Sequence, residues 1–191
     1  RHTRFRNVTG VQTCALPISR ALDFDAQHRR VVMGLYQGRR IVTGHDSQGR
    51  SCIIEDAAPT NVVPNPNDPD RGHINFWRTE KTPADNSVFL DPMKGPPCPL
   101  APPKGGTMFR FFQIAPEKNE AGLSNAERNR RMAEMFEAAG GGHNRTLTGQ
   151  HPSMHKTDSV DYIILLKGEV TALLDAGSVA MKPFDVLIQR G

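Results

Sequence analysis

The residues whose types and spacing could do chemistry stand near the C-terminal end: His151, His155, Thr157 and Asp161, followed by Gly168. On an extended strand, residues i and i+2 face the same side, so His155 and Thr157 are expected to point together. After a short turn Asp161 can return to the same space. An imidazole and a carboxylate converging inside a barrel suit a divalent metal such as Fe, Mn, Ni or Zn. Each residue also has a plainer reading. His155 is otherwise a hydrogen-bonded histidine lining the interior, and Asp161 its partner or a turn cap. His151 is a rim ligand or a surface residue, and Gly168 a turn glycine. Tyr162 faces away from Asp161 by strand parity and is expected to pack. His45, His73 and His143 read as solvated loop histidines.

The elements that must position these groups are mostly strands. Residues 160–166, V-D-Y-I-I-L-L, are apolar on both faces, and such a strand needs cover on both sides. Lys167-Gly168 makes a turn, 170–174 a strand, Asp175-Ala176-Gly177 a hairpin turn and 179–181 a further strand. Pro183 punctuates, and 186–188 begins another. Upstream, 40–43 and 51–55 read as a hairpin, 74–79 and 107–114 as strands. Residues 56–72 and 91–103 read as Pro-rich loops with little regular structure. Residues 124–139 switch to a helical period: Ser124 and Glu127 have capping-box spacing, and Met132, Met135, Phe136 and Ala139 form one apolar stripe that reads as a packing face. The three glycines 140–142 end that helix. Several short strands at this spacing give an all-β barrel or sandwich.

The segment from His155 to Gly168 resembles the first motif of the cupin superfamily, two histidines separated by one residue, then a glutamate, then after six residues a glycine. His155 takes the first histidine position, Thr157 the second, Asp161 the glutamate position, and Gly168 is in place. The longer string H-P-S-M-H-K-T-D-S-V-D-Y-I-I-L-L-K-G-E resembles one subgroup of small bacterial and fungal cupin-domain proteins. The second motif begins at Gly177 and runs through 185–191. The resemblance covers 146–191 closely and 40–116 less specifically. It implies a cupin barrel, a double-stranded β-helix or jelly-roll, incomplete at the C-terminus, with a helical insertion at 117–145. It implies metal ligands at His155 and Asp161, with His151 near the rim and Thr157 lining the cavity. Two departures stand out. Thr157 is a poorer metal ligand than histidine, and Phe184 occupies a turn position where the family has glycine, which a bulky side chain disfavours if φ is positive.

Composition sets the remaining bounds. The 191 residues are 37% apolar and 23% charged, enough for one domain with a sizeable core. The net charge of +4 traces to Arg1, Arg4, Arg6 and Arg20, with no acidic residue among the first twenty, so residues 21–191 are balanced and give no reason to expect a nucleic-acid partner. The stretch V-T-G-V-Q-T-C-A-L-P-I at 8–18 resembles a translated sequencing adapter, so residues 1–20 are expected to be non-native and to pack against nothing. Met33 is a candidate start. Cys52 and Cys98 then remain, too far apart for a Cys-metal site, and read as free thiols in a reducing, cytoplasmic compartment. No apolar run suits a membrane span. The expected partner is a small-molecule ligand, in a monomer or a homodimer. Two functions follow. One is a divalent-metal-dependent enzyme acting on a small polar metabolite by an oxygenase, isomerase or decarboxylase reaction, with Asp161 and His155 holding the metal or moving a proton. The other is a non-catalytic cupin that binds a small ligand without metal, which Thr157 favours.

Overall fold

A computed structural model describes residues 31–191 apart from 33, 88, 96–97, 117–120 and 147–150. The segment 1–20 and Met33 lie outside the described residues. Antiparallel strands and one α-helix make up the regular structure, the all-β composition expected from the spacing of apolar runs.

Two short strands, β1 (Val31–Val32) and β2 (Leu35–Tyr36), pair first. β3 (Arg40–His45) and β4 (Ser51–Ala57) form the expected hairpin, with a register shift between Val42 and Thr43. Arg40 is 4% exposed and clamps this hairpin to the second Pro-rich loop. Its guanidinium donates to Asp91 Oδ1 at 2.9 Å and Oδ2 at 2.5 Å, and it also pairs with Glu55. The Arg40 hydrogen bond holds the Asp91 carboxyl below the usual carboxylate range, against its burial.

Residues 56–72 are not the irregular loop that four prolines suggested. β5 (Asn61–Asn65) and β6 (Asp68–Thr79) occupy most of them, and β7 (Thr107–Gln113) completes a three-stranded sheet in the order β5-β6-β7. The physical reason is position. β5 is an edge strand, where Pro64 forfeits no ladder bond to a further neighbour, and the register shifts just after it. Asn65 Oδ1 accepts from the Asn67 N–H at 2.8 Å, an Asx turn that reverses the chain. One face of the sheet carries a ring cluster of Phe76, Phe109 and Phe111, with Phe76 and Phe111 centroids 4.5 Å apart.

The helix α1 (Asn125–Ala138) starts where Ser124 Oγ accepts from the Glu127 N–H at 3.1 Å. It ends in a Schellman arrangement: Gly140 N–H bonds Glu137 O, Gly141 N–H bonds Phe136 O, and Gly140 has φ +65°. Met132, Phe136 and Ala139 are buried, so the apolar stripe is a packing face. Arg130 and Arg131 pair with Glu127, and Arg130 also with Glu134, on the wet side.

The last four strands nest. β8 (Val160–Ile164) pairs with β11 (Val186–Arg190), and between them in sequence β9 (Val170–Leu174) pairs with β10 (Gly177–Met181). The expected cover on both sides of β8 is not seen among the described residues: Tyr162 is 77% and Ile164 55% exposed, so Tyr162 does not pack. Each of these pairs is a two-stranded ribbon, and among the described residues neither is joined by ladder hydrogen bonds to another sheet.

Candidate functional site

The four residues singled out in the sequence divide into two groups. Thr157 is buried, and its hydroxyl pairs with Ser159 Oγ at 2.8 Å, which in turn donates to Asp161 Oδ1 at 2.7 Å. This relay of alternate residues leads into β8. His155 is exposed, contrary to the parity expectation that it points with Thr157. The reason is local: His155 makes only an isolated bridge to Arg145, and the backbone between it and β8 is not strand. Its Nδ1 donates to the Ser153 carbonyl at 3.0 Å, and its ring meets Phe136 of α1 edge-on at 5.2 Å. His151 Nδ1 pairs with Ser153 Oγ at 2.7 Å. Ser153 thus holds both histidines, while no hydrogen bond or ion pair joins His155 to Asp161 among the described residues.

A second set of polar side chains lies on the face of the β5-β6-β7 sheet opposite the phenylalanine cluster. Register places Asn61 beside Asn75 and Asn75 beside Arg110, with His73 beside Phe112 one step along. Asn75 is fully buried and His73 is 5% exposed, so the expectation of a solvated loop histidine at 73 is corrected. Asn75 Nδ2 donates to Asn61 Oδ1 at 2.8 Å, and Arg110 Nη2 donates to Pro99 O at 2.8 Å. Four further polar atoms are buried without a partner among the described residues: His73 Nε2, Asn75 Oδ1, and Arg110 Nε and Nη1. A buried polar atom left unpaired costs roughly 1–3 kcal/mol, and more when charged. Four such atoms on one face make it the most under-satisfied polar surface of the sheet.

The electrostatics fit that reading. Burial, and secondarily the Arg110 cation, push His73 down to about 4, so it is neutral at neutral pH. Burial pushes Arg110 down to about 10, opposed by Cys98 and by Asp161, so it stays cationic. Asp161 is near enough to act electrostatically on Arg110, and its Oδ1 accepts from Ser159, which pairs in turn with Thr157. The histidine was missed in the sequence because it fell in a stretch read as loop. Arg110 was missed because T-M-F-R-F-F-Q-I alternates like a half-exposed strand.

The donor set was tested against the divalent metal that the cupin-like spacing implies. Among the described residues no group of three or more His, Cys, Asp or Glu side chains converges to hold one. Asp161 is turned to Ser159 and His155 to Ser153. As arranged, His155 and Asp161 do not converge as metal donors. Cys52 and Cys98 are free thiols, as expected. No helix among the described residues is long and apolar enough to cross a membrane.

No family model matches the chain. It is similar to Phomopsin biosynthesis cluster protein D of Diaporthe leptostromiformis, with 27% identity over 162 residues, 80% of this chain and 66% of that protein. It is also similar to Phomopsin biosynthesis cluster protein C' of the same organism, with 28% identity over 165 residues, again 80% and 66%. The chain spans 66% of the length of these curated relatives.

Proposed function

We propose that this protein is a small-ligand-binding domain of the cupin type, whose ligand engages the polar face of β5-β6-β7. The observation that carries the reading is the set of buried, unpartnered polar atoms on His73, Asn75 and Arg110. Support for the cupin type comes from the nested pairing of β8 with β11 around β9 with β10, and from the string at 151–169. Both relatives are named as biosynthesis cluster proteins, which suits a domain that handles a small metabolite. Binding at this face needs no metal. The metal-dependent enzyme reading keeps the Thr157–Ser159–Asp161 relay as its one favourable feature, since a fixed carboxylate serves a proton transfer as well as a ligand.

The test is a thermal-shift panel of neutral, cationic and anionic small metabolites on the wild type and on His73→Phe. At least one class is expected to raise the melting temperature of the wild type and not of the variant. A panel without effect, or with equal effect on both proteins, overturns the reading.

A further inference from the structure

The turn between β5 and β6 and the helix α1 enclose a cavity of about 230 Å³. Arg131 and Met132 follow Arg128 by three and four residues, so all three project from one face of the helix. The rest of the lining comes from the Asx turn and the start of β6, with Asp68 and Arg71 as its charged members. Asn67 Nδ2 donates to Glu134 Oε2 at 2.8 Å and ties the turn to the helix. The Arg71 side chain is only 12% exposed; Nη2 donates to Ala115 O at 3.3 Å, and Nε stands 3.6 Å from Asp68 Oδ2. Arg131 donates through Nε to Glu127 Oε1 at 2.9 Å, the same oxygen that accepts from Arg130 Nη2 at 2.7 Å. One carboxylate oxygen thus serves two arginines.

We infer that this cavity binds the phosphate group of a small phosphorylated metabolite, between Arg71 on β6 and Arg128 and Arg131 on α1. It is a second site, since it shares no lining residue with the polar face of His73, Asn75 and Arg110. Three arginines and one carboxylate line it. With the ion-paired neighbours Arg130, Glu127 and Glu134 counted, the described side chains are four arginines against three carboxylates, so a cation is in excess before any ligand binds. Asp68, the carboxylate on the lining, is engaged at both oxygens: Oδ1 accepts from the Asp70 N–H at 3.0 Å, and Oδ2 lies beside Arg71. Shape decides the kind of anion. A carboxylate accepts in one plane, whereas a phosphate accepts on every side, which suits arginines supplied by both a strand and a helix. The cavity is smaller than the pockets that hold drug-sized ligands, so a phosphate with a few carbon atoms suits it and a nucleotide does not.

The experiment is isothermal titration of the full chain with glycerol 3-phosphate, inorganic phosphate, succinate and acetate. Glycerol 3-phosphate is expected to bind about tenfold or more tightly than succinate or acetate, and no more weakly than inorganic phosphate. Arg128→Gln and Arg131→Gln each weaken that binding by about tenfold or more, and Arg131→Lys, which keeps the charge and loses the fork, weakens it by roughly threefold or more. Two controls place the site. Arg130→Gln removes the same charge from the same helix without touching the lining, and His73→Phe alters the other face; each changes the affinity by less than about threefold. Circular dichroism checks that every variant is folded. Equal losses in Arg130→Gln and Arg131→Gln show unspecific attraction to a basic helix and overturn the cavity assignment. Succinate binding as tightly as glycerol 3-phosphate overturns the phosphate assignment. Inorganic phosphate binding more tightly than the ester overturns the metabolite and leaves a free-ion site. Silence of both phosphates removes the site altogether.

Discussion

Asn75 on β6, fully buried, stands beside Arg110 on β7 in register, yet Asn75 Oδ1 and Arg110 Nε and Nη1 find no hydrogen-bond partner among the described residues. A fold selected only for stability would pair those atoms or replace the arginine. Unpaired polar atoms gathered on one buried face are the arrangement a binding site needs before its ligand arrives.

Replacing Arg110 should therefore stabilise the free protein. Arg110→Met removes two unpaired N–H groups and a buried charge while keeping the side-chain volume. We expect a gain of about 1–3 kcal/mol in denaturant unfolding, by the cost of unpaired buried groups. A loss of stability would mean that the guanidinium is already satisfied in the folded chain.

His73 sets an acid limit on stability. Its folded value of about 4 lies below its ordinary 6.5, so in acid the unfolded chain takes up the proton first. The contribution is fully present above about pH 6.5 and is lost as the pH falls through 6.5 towards 4, on the order of 3 kcal/mol in all. Urea unfolding at pH 7, 5.5 and 4 should show this slope, and His73→Phe should remove it. An unchanged slope in the variant would place the acid sensitivity elsewhere.

Phe184 stands in the left-handed region at φ +74°, the one non-glycine residue there among the described residues. It occupies the third position of a turn closed by the Asp185 N–H to the Lys182 carbonyl at 3.0 Å, with Pro183 before it, the geometry in which a type II turn asks for glycine. Its side chain is 61% exposed and packs little. Phe184→Gly should gain about 1 kcal/mol and Phe184→Ala should not, because alanine keeps the strain. Equal effects in thermal unfolding would show that the side chain matters rather than the backbone.

Metal content separates the two functional readings. After dialysis the protein should retain well under one equivalent of Fe, Mn, Ni or Zn, because His155 and Asp161 are committed to Ser153 and Ser159. One equivalent by elemental analysis, lost in both His155→Ala and Asp161→Ala, would restore the metal-dependent reading.

The strands with period-two patterning were legible because alternation is a local property: 51–55 and 74–79 fall within observed strands, and 107–114 overruns β7 by one residue. The Ser124 cap and the Met132, Phe136, Ala139 stripe were legible for the same reason. Phe184 was legible as a misfit, and its positive φ bears this out. What failed was non-local. Pro64 breaks a central strand but not an edge one, and the sequence does not say which β5 is. Parity linked His155 to Thr157 only on the assumption of an unbroken strand. The polar face of His73, Asn75 and Arg110 depends on the register of β5, β6 and β7, which no single segment encodes.

The most direct test of the account is the side-chain resonance of Arg110 Nε–H in the full chain, followed by NMR as the metabolite class that raises the melting temperature of the wild type is added. The account predicts a saturable downfield shift and slowed solvent exchange, as a buried unpaired donor acquires an acceptor, with a parallel shift at His73 Nε2. A resonance that stays fixed through saturation, or that is already shifted and slow before any addition, would contradict it.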